Sequence, residues 1–136
     1  MKWNDDYWKP FGVMNPEKTM QKHQKKIEKA KDIPYNDIIH DYFEDNVLSN
    51  ILNKYIHGYN SWIRDSVKKE AYGKINKYGL KQIKQVVNMA TRDEIKNNLV
   101  QQGYPASWDT AFYMAHYKKI NKLMERITKE IVRHYL

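Results

Sequence analysis

Residues 107–136 read SWDTAFYMAHYKKINKLMERITKEIVRHYL, and the fold expected of the chain is built around them. Tyr113, Tyr117, Ile120, Met124, Ile127, Ile131 and Tyr135 recur three or four residues apart, one apolar stripe at helical period. Lys119, Lys122, Arg126, Lys129 and Arg133 keep the same rhythm on another face. Ser107 is placed to cap the helix, with Asp109 in its first turn near the positive end of the helix dipole. No Gly or Pro interrupts the stretch. The pattern therefore predicts one helix of up to about 28 residues, roughly 42 Å at about 1.5 Å per residue, a post for shorter helices.

Five more helical segments precede it. Leu80, Ile83, Val87 and Ala90 predict a helix over 80–90. Thr91-Arg92-Asp93-Glu94 then has the form of a capping box, stapled by Ala90 and Ile95, and opens a helix over 92–102 that stops at Gly103. Trp62, Ile63, Val67, Ala71, Ile75 and Tyr78 predict a helix over 61–78. The segment 36–57 is the most apolar (Ile38, Ile39, Tyr42, Phe43, Val47, Leu48, Ile51, Leu52, Tyr55, Ile56), so it is expected to pair with 107–136 as the core. Asn15-Pro16-Glu17 starts a helix over 16–31 whose apolar face is thin (Met20, Ile27, Ala30), which places it at the edge. Residues 1–14 form an irregular arm holding Trp3, Tyr7, Trp8 and Phe11. The expectation is an all-α, compact bundle of about six helices with a long C-terminal helix. It is one domain over 1–136, with the arm at 1–14 and the bundle at 15–136.

Length and composition narrow the classes. A chain of 136 residues can bury a real core without staples, and with no cysteine it has neither disulfides nor thiolate metal sites. No apolar run approaches the roughly 18 residues of a membrane span. The N-terminus carries acids and a proline where a signal peptide needs an unbroken apolar run, so no membrane association is expected. The expected location is the cytoplasm, that of the host cell if the chain is phage-encoded. The net charge of +8 favours a polyanion or an acidic protein surface as partner. It is unevenly placed: 36–60 holds one basic and four acidic side chains, whereas 118–136 holds six and two.

The tightest polar cluster is Asp37, His40, Asp41 and Glu44, which at this spacing share one helix face. A second His or another carboxylate from elsewhere is needed for a divalent metal, and the HExxH pattern is absent, so the cluster reads as a solvated face. Five glycines leave no phosphate-cradling loop, and there is no nucleophile elbow. The chain is expected to be non-enzymatic, with no cofactor and no metal.

For nucleic acid, the pair 80–90 and 92–102 resembles a helix-turn-helix, with Arg92, Lys96, Asn97, Asn98, Gln101 and Gln102 on its second helix. The turn is short and lacks glycine, and Asp93 and Glu94 would face the DNA. Sequence-independent contact through basic rows at 18–29, 64–84 and 119–133 fits better. The residues that carry it are Lys18, Lys22, Lys25 and Lys29 with Lys119, Lys122, Arg126, Lys129 and Arg133.

This Lys-, Asn- and Tyr-rich, cysteine-free composition resembles accessory proteins of bacteriophages and other mobile elements. That group includes DNA-binding regulators and inhibitors of host defence of the anti-CRISPR kind, and none of their motifs maps onto residues here. The expected role is a small basic binding or regulatory protein that touches nucleic acid, or a ribonucleoprotein or DNA-bound protein, through its lysine-rich faces. The alternative is a protein–protein inhibitor or adaptor acting through Trp3, Tyr7, Trp8 and Phe11 or through the acidic face of 37–45. The C-terminal helix also allows a homodimer.

Overall fold

The computed structural model describes residues 18, 21–22, 24–56 and 77–135. The arm at 1–14 and nearly all of the helix expected over 61–78 lie outside them. Six α-helices occur among the described residues, and no strand. They are α1 (Gln24–Lys31), α2 (Tyr35–Ile38), α3 (Phe43–Ile51), α4 (Lys77–Gln101), α5 (Asp109–Ala115) and α6 (Tyr117–Tyr135). A π-helical turn, Leu52–Ile56, continues α3, and a 3₁₀ turn, Ala106–Trp108, precedes α5. The all-α bundle with a long C-terminal helix is therefore present, but its divisions differ from the expected ones in three places.

The first difference is the post. The segments expected at 80–90 and 92–102 are one helix, α4, of 25 residues. Ile83, Val86, Val87, Ala90, Ile95 and Leu99 are all buried along it, so one continuous face packs on α2, α3, α5 and α6. Thr91 sits mid-helix, fully buried, and caps nothing; tertiary packing overrides the local capping signal. There is no turn, hence no helix-turn-helix. α4 ends where expected: Gly103 adopts φ 87°, Gly103 N–H donates to Val100 O, and Tyr104 N–H donates to Leu99 O. That is a Schellman closure, and the left-handed residue in it favours glycine.

The second difference lies in 36–57, which breaks between α2 and α3. Asn98 on α4 donates its side-chain amide to Ile38 O at 2.7 Å, occupying the carbonyl that a continuing helix would offer to Tyr42. Ile39 leaves helical geometry (φ −108°, ψ 82°), and Phe43 N–H restarts the chain on His40 O. The break buries Ile38, Ile39 and Phe43 together and leaves Tyr42, expected on the apolar face, 70% exposed.

The third difference is the break of 107–136 at His116 (φ −125°, ψ 26°). Ser107 lies exposed in the 3₁₀ turn and makes no cap hydrogen bond to α5. The Asp109 carboxylate is buried and instead meets Arg92 Nε at 2.6 Å and Lys96 Nζ at 3.8 Å. The break lets α5 turn Phe112 and Tyr113 into the core while α1 packs on it through Ile27 and Ala30. Beyond it, Ile120, Met124, Ile127 and Ile131 on α6 are buried within the same chain. The core is thus organised on α4, and the expected pairing of 36–57 with 107–136 is present as the contact of α3 with α6.

His116 links these parts. Its ring lies 4.7 Å from that of Phe112 and 5.8 Å from that of Tyr35, and its Nε2 is 3.2 Å from Ile33 O. A carbonyl only accepts, so Nε2 carries the proton. Burial pushes the imidazole below its ordinary value, with Lys119 adding to the depression, while the carbonyls of Ile33 and Ala30 work the other way.

These packing relations make two outcomes measurable. The Thr91 hydroxyl is buried without a hydrogen-bond partner among the described residues, so Thr91→Val should raise unfolding stability in urea by about 1 kcal/mol. If Thr91 were a helix cap, the same change would lower stability by about that amount. Because folding depresses the His116 pKa, the unfolded chain binds the extra proton more readily. Stability should therefore fall as pH drops below about 6.5, and His116→Gln should flatten that slope between roughly pH 6.5 and 5.

Candidate functional site

The helical periodicity that buries one side of α1 and α6 turns their cations the other way. On α1, Ile27 and Ala30 face α5, and Lys25 and Lys29 project from the opposite side of the helix; Lys18 and Lys22, also helical, are exposed too. On α6, Lys119, Lys122, Arg126, Lys129 and Arg133 are all exposed, opposite the buried Ile120, Leu123, Met124, Ile127 and Ile131. Both rows expected from the sequence are therefore solvent-facing.

Their members differ in what they touch. Lys119 Nζ lies 5.0 Å above the Tyr35 ring, a cation–π contact. Arg126 Nε is 3.5 Å from Glu44 Oε2, and Arg133 pairs with Glu130 on its own helix. Exposed pairs of this kind are each worth about 0–1 kcal/mol, so they do not lock the cations away from a competing anion. Lys25, Lys29, Lys122 and Lys129 have no acidic partner among the described residues.

Of the middle row at 64–84, only Lys77, Lys81 and Lys84 fall within the described residues. Lys84 reaches α6: with Lys129 and Arg133 it borders a groove of about 440 Å³ whose apolar lining comes from Leu80 and Val132. Glu125 and Thr128 complete the groove. The structure thus joins the end of the middle row to the C-terminal row, which sequence spacing did not show. Arg92 and Lys96, expected on a recognition helix, are instead engaged by Asp109.

The acidic cluster is rearranged by the break at 39–42. Asp37, His40, Asp41 and Glu44 no longer share one continuous helix, and no group of three or more His, Asp or Glu among the described residues is placed to hold a metal ion. His40, Asp41 and Glu44 instead border a cavity of about 220 Å³ between the α2–α3 segment and α6, with Tyr35 and Arg126 on its walls. Ile39, Phe43 and Leu123 close it from below but are almost fully buried, so its exposed lining is mainly polar. The sequence carries no sign of this cavity, because its two sides lie on segments far apart in the chain. Burial pushes the Tyr35 phenol above its ordinary value, so it stays a neutral hydroxyl at neutral pH.

Trp3, Tyr7, Trp8 and Phe11 lie outside the described residues. No helix among the described residues is long and apolar enough to cross a membrane. Comparison with protein-family models, characterised proteins and solved structures gives no match to this chain.

Proposed function

We propose that this chain is a non-enzymatic binding protein that contacts nucleic acid, or a nucleic-acid-bound complex, through the outward cations of α6 and α1. The observation that carries this reading is the convergence of Lys84 with Lys129 and Arg133 along one groove, continuous with Lys122 on the same face of α6. Lys122 and Lys129 are exposed with no acidic partner among the described residues, so a polyanion laid along this face can replace condensed counterions with phosphate contacts. Lysine side chains on a helix are point-charge contacts for phosphates and carry no base-reading geometry, so this surface binds without strong sequence preference. The phage-accessory resemblance of the composition agrees with such a role. Tyr42, 70% exposed between the acidic Asp41 and Glu44, is a natural anchor for a protein partner should the target be a complex rather than bare nucleic acid.

Fluorescence anisotropy of labelled duplex DNA and single-stranded RNA tests the reading directly. Binding should be present at about 50 mM salt and weaken by at least about tenfold at 200 mM. The pair Lys122→Glu with Lys129→Glu should weaken binding further and make the logarithmic salt slope shallower by about 0.9 for each duplex phosphate no longer neutralised. Lys54→Glu, an exposed cation outside both rows, should have the smaller effect of a simple charge change. Absence of binding to either nucleic acid at 50 mM would remove the proposal.

A further inference from the structure

The groove between α4 and α6 adds an apolar surface to the cation strip. Leu80 and Val132, both partly exposed, supply it. Thr128 also borders it, with its hydroxyl already donating to Met124 O at 2.8 Å. The groove therefore offers a ligand more to pack against than to hydrogen-bond. Cations stand on both walls, Lys84 on α4 and Lys129 and Arg133 on α6. Glu125 is the one acid that lines it among the described residues.

The outer row from Lys122 to Arg133 runs roughly 16 Å along the helix, at about 1.5 Å per residue, and can meet about five phosphates of one strand at about 3.4 Å each. The groove volume of about 440 Å³ lies within the roughly 300–1,000 Å³ of small-ligand sites, room for one base with its sugar. A duplex keeps its ring faces stacked and presents phosphates, sugars and base edges, so it leaves the apolar surface unused. A single strand can turn a ring out onto apolar side chains. Charge alone favours the opposite order. A duplex carries one charge per about 1.7 Å and a strand one per about 3.4 Å, so a merely basic surface holds the duplex more tightly.

We propose that the groove between α4 and α6 receives one unstacked base of a single strand, whose phosphates lie on Lys122, Lys129 and Arg133. The proposal rests on the nucleic-acid reading above and adds to it the type of strand. The ring lies on Leu80 and Val132, and Lys84 closes the opposite wall with its aliphatic stem. Glu125 fits this division of the ligand. Its carboxylate tolerates an uncharged ring beside it but repels a phosphate or the carboxylates of an acidic peptide, so the anionic part stays on the outer row. Apolar side chains touch a ring face without reading its edge, so strands of different sequence bind alike.

The test is anisotropy of a labelled single strand of about 12 nucleotides, and of its duplex with the complement, at about 50 mM salt. The proteins are the wild-type chain, the double variant Leu80→Gln with Val132→Thr, and the milder Val132→Thr alone. These substitutions put polar groups of similar size at partly exposed positions and leave the charge unchanged, and a thermal melt of each protein checks that the fold is retained. The wild-type chain should bind the single strand at least about fivefold more tightly than the duplex. The double variant should lose that preference and Val132→Thr part of it, while duplex affinity and salt dependence stay as in the wild-type chain. Equal or tighter binding of the duplex by the wild-type chain, or an unchanged ratio in the folded variants, would overturn the groove assignment and leave the cation rows standing. Displacement of the strand by an equal concentration of a helical peptide of Glu and Leu would overturn it in favour of an acidic protein segment. No binding of either nucleic acid at about 50 mM salt would overturn both proposals.

Discussion

The side-chain amide of Asn98 is buried on α4 and donates to Ile38 O, and the path of the chain from α1 to α3 depends on that contact. A buried carbonyl without a partner costs about 1–3 kcal/mol, so the amide and the break in the helix specify each other. With Ile38 O taken, the chain turns through 39–42 and sets Phe43 into the core. Glu44 is then directed toward Arg126 on α6, and Asn46 toward Glu94 on α4 at 3.4 Å. His116 does for α1 what Asn98 does for α2: a side-chain nitrogen on one element holds a carbonyl at the end of another. Each junction uses one directional polar contact within an otherwise apolar core, and such contacts fix register where apolar packing alone is permissive.

The electrostatic character of the surface follows from the same packing. α6 can bury Ile120, Met124, Ile127 and Ile131 only by facing Lys122 and Lys129 to water, and α1 does likewise with Ile27 against Lys25 and Lys29. The cation rows are thus fixed in direction by the core, and Lys84 joins the α6 row because α4 and α6 pack side by side. Acidic groups are interspersed with it. Glu44 and Glu130 pair with Arg126 and Arg133 and Glu125 lies in the groove beside Lys129, while Lys122 and Lys129 have no ion pair among the described residues.

Much of this arrangement is legible in residue spacing, and the parts that are not share a cause. The stripes predict helices, their apolar faces and their solvent-facing cations, because periodicity is a local property that burial must obey. The breaks at 39–42 and 116 leave no trace in local spacing, because the groups that stabilise them come from 60 and 83 residues away. Thr91 misleads in the opposite sense: the four residues from Thr91 to Glu94 have the form of a helix start, yet Ala90, Thr91 and Ile95 belong to one buried face of an uninterrupted helix. The same limit applies to the site. Lysine rows are visible along a sequence, whereas a cavity walled by Asp41, Glu44 and Arg126 exists only once the segments bearing them are folded together.

The most direct measurement is nuclear magnetic resonance of the isotope-labelled chain titrated with a short single-stranded oligonucleotide at low salt. The largest shifts should fall on α6 around Lys119, Lys122 and Lys129, and on Lys84. Shifts confined to the outer face of α4, where Met89 and Val100 are exposed, would contradict the assignment of function to the cation face of α6.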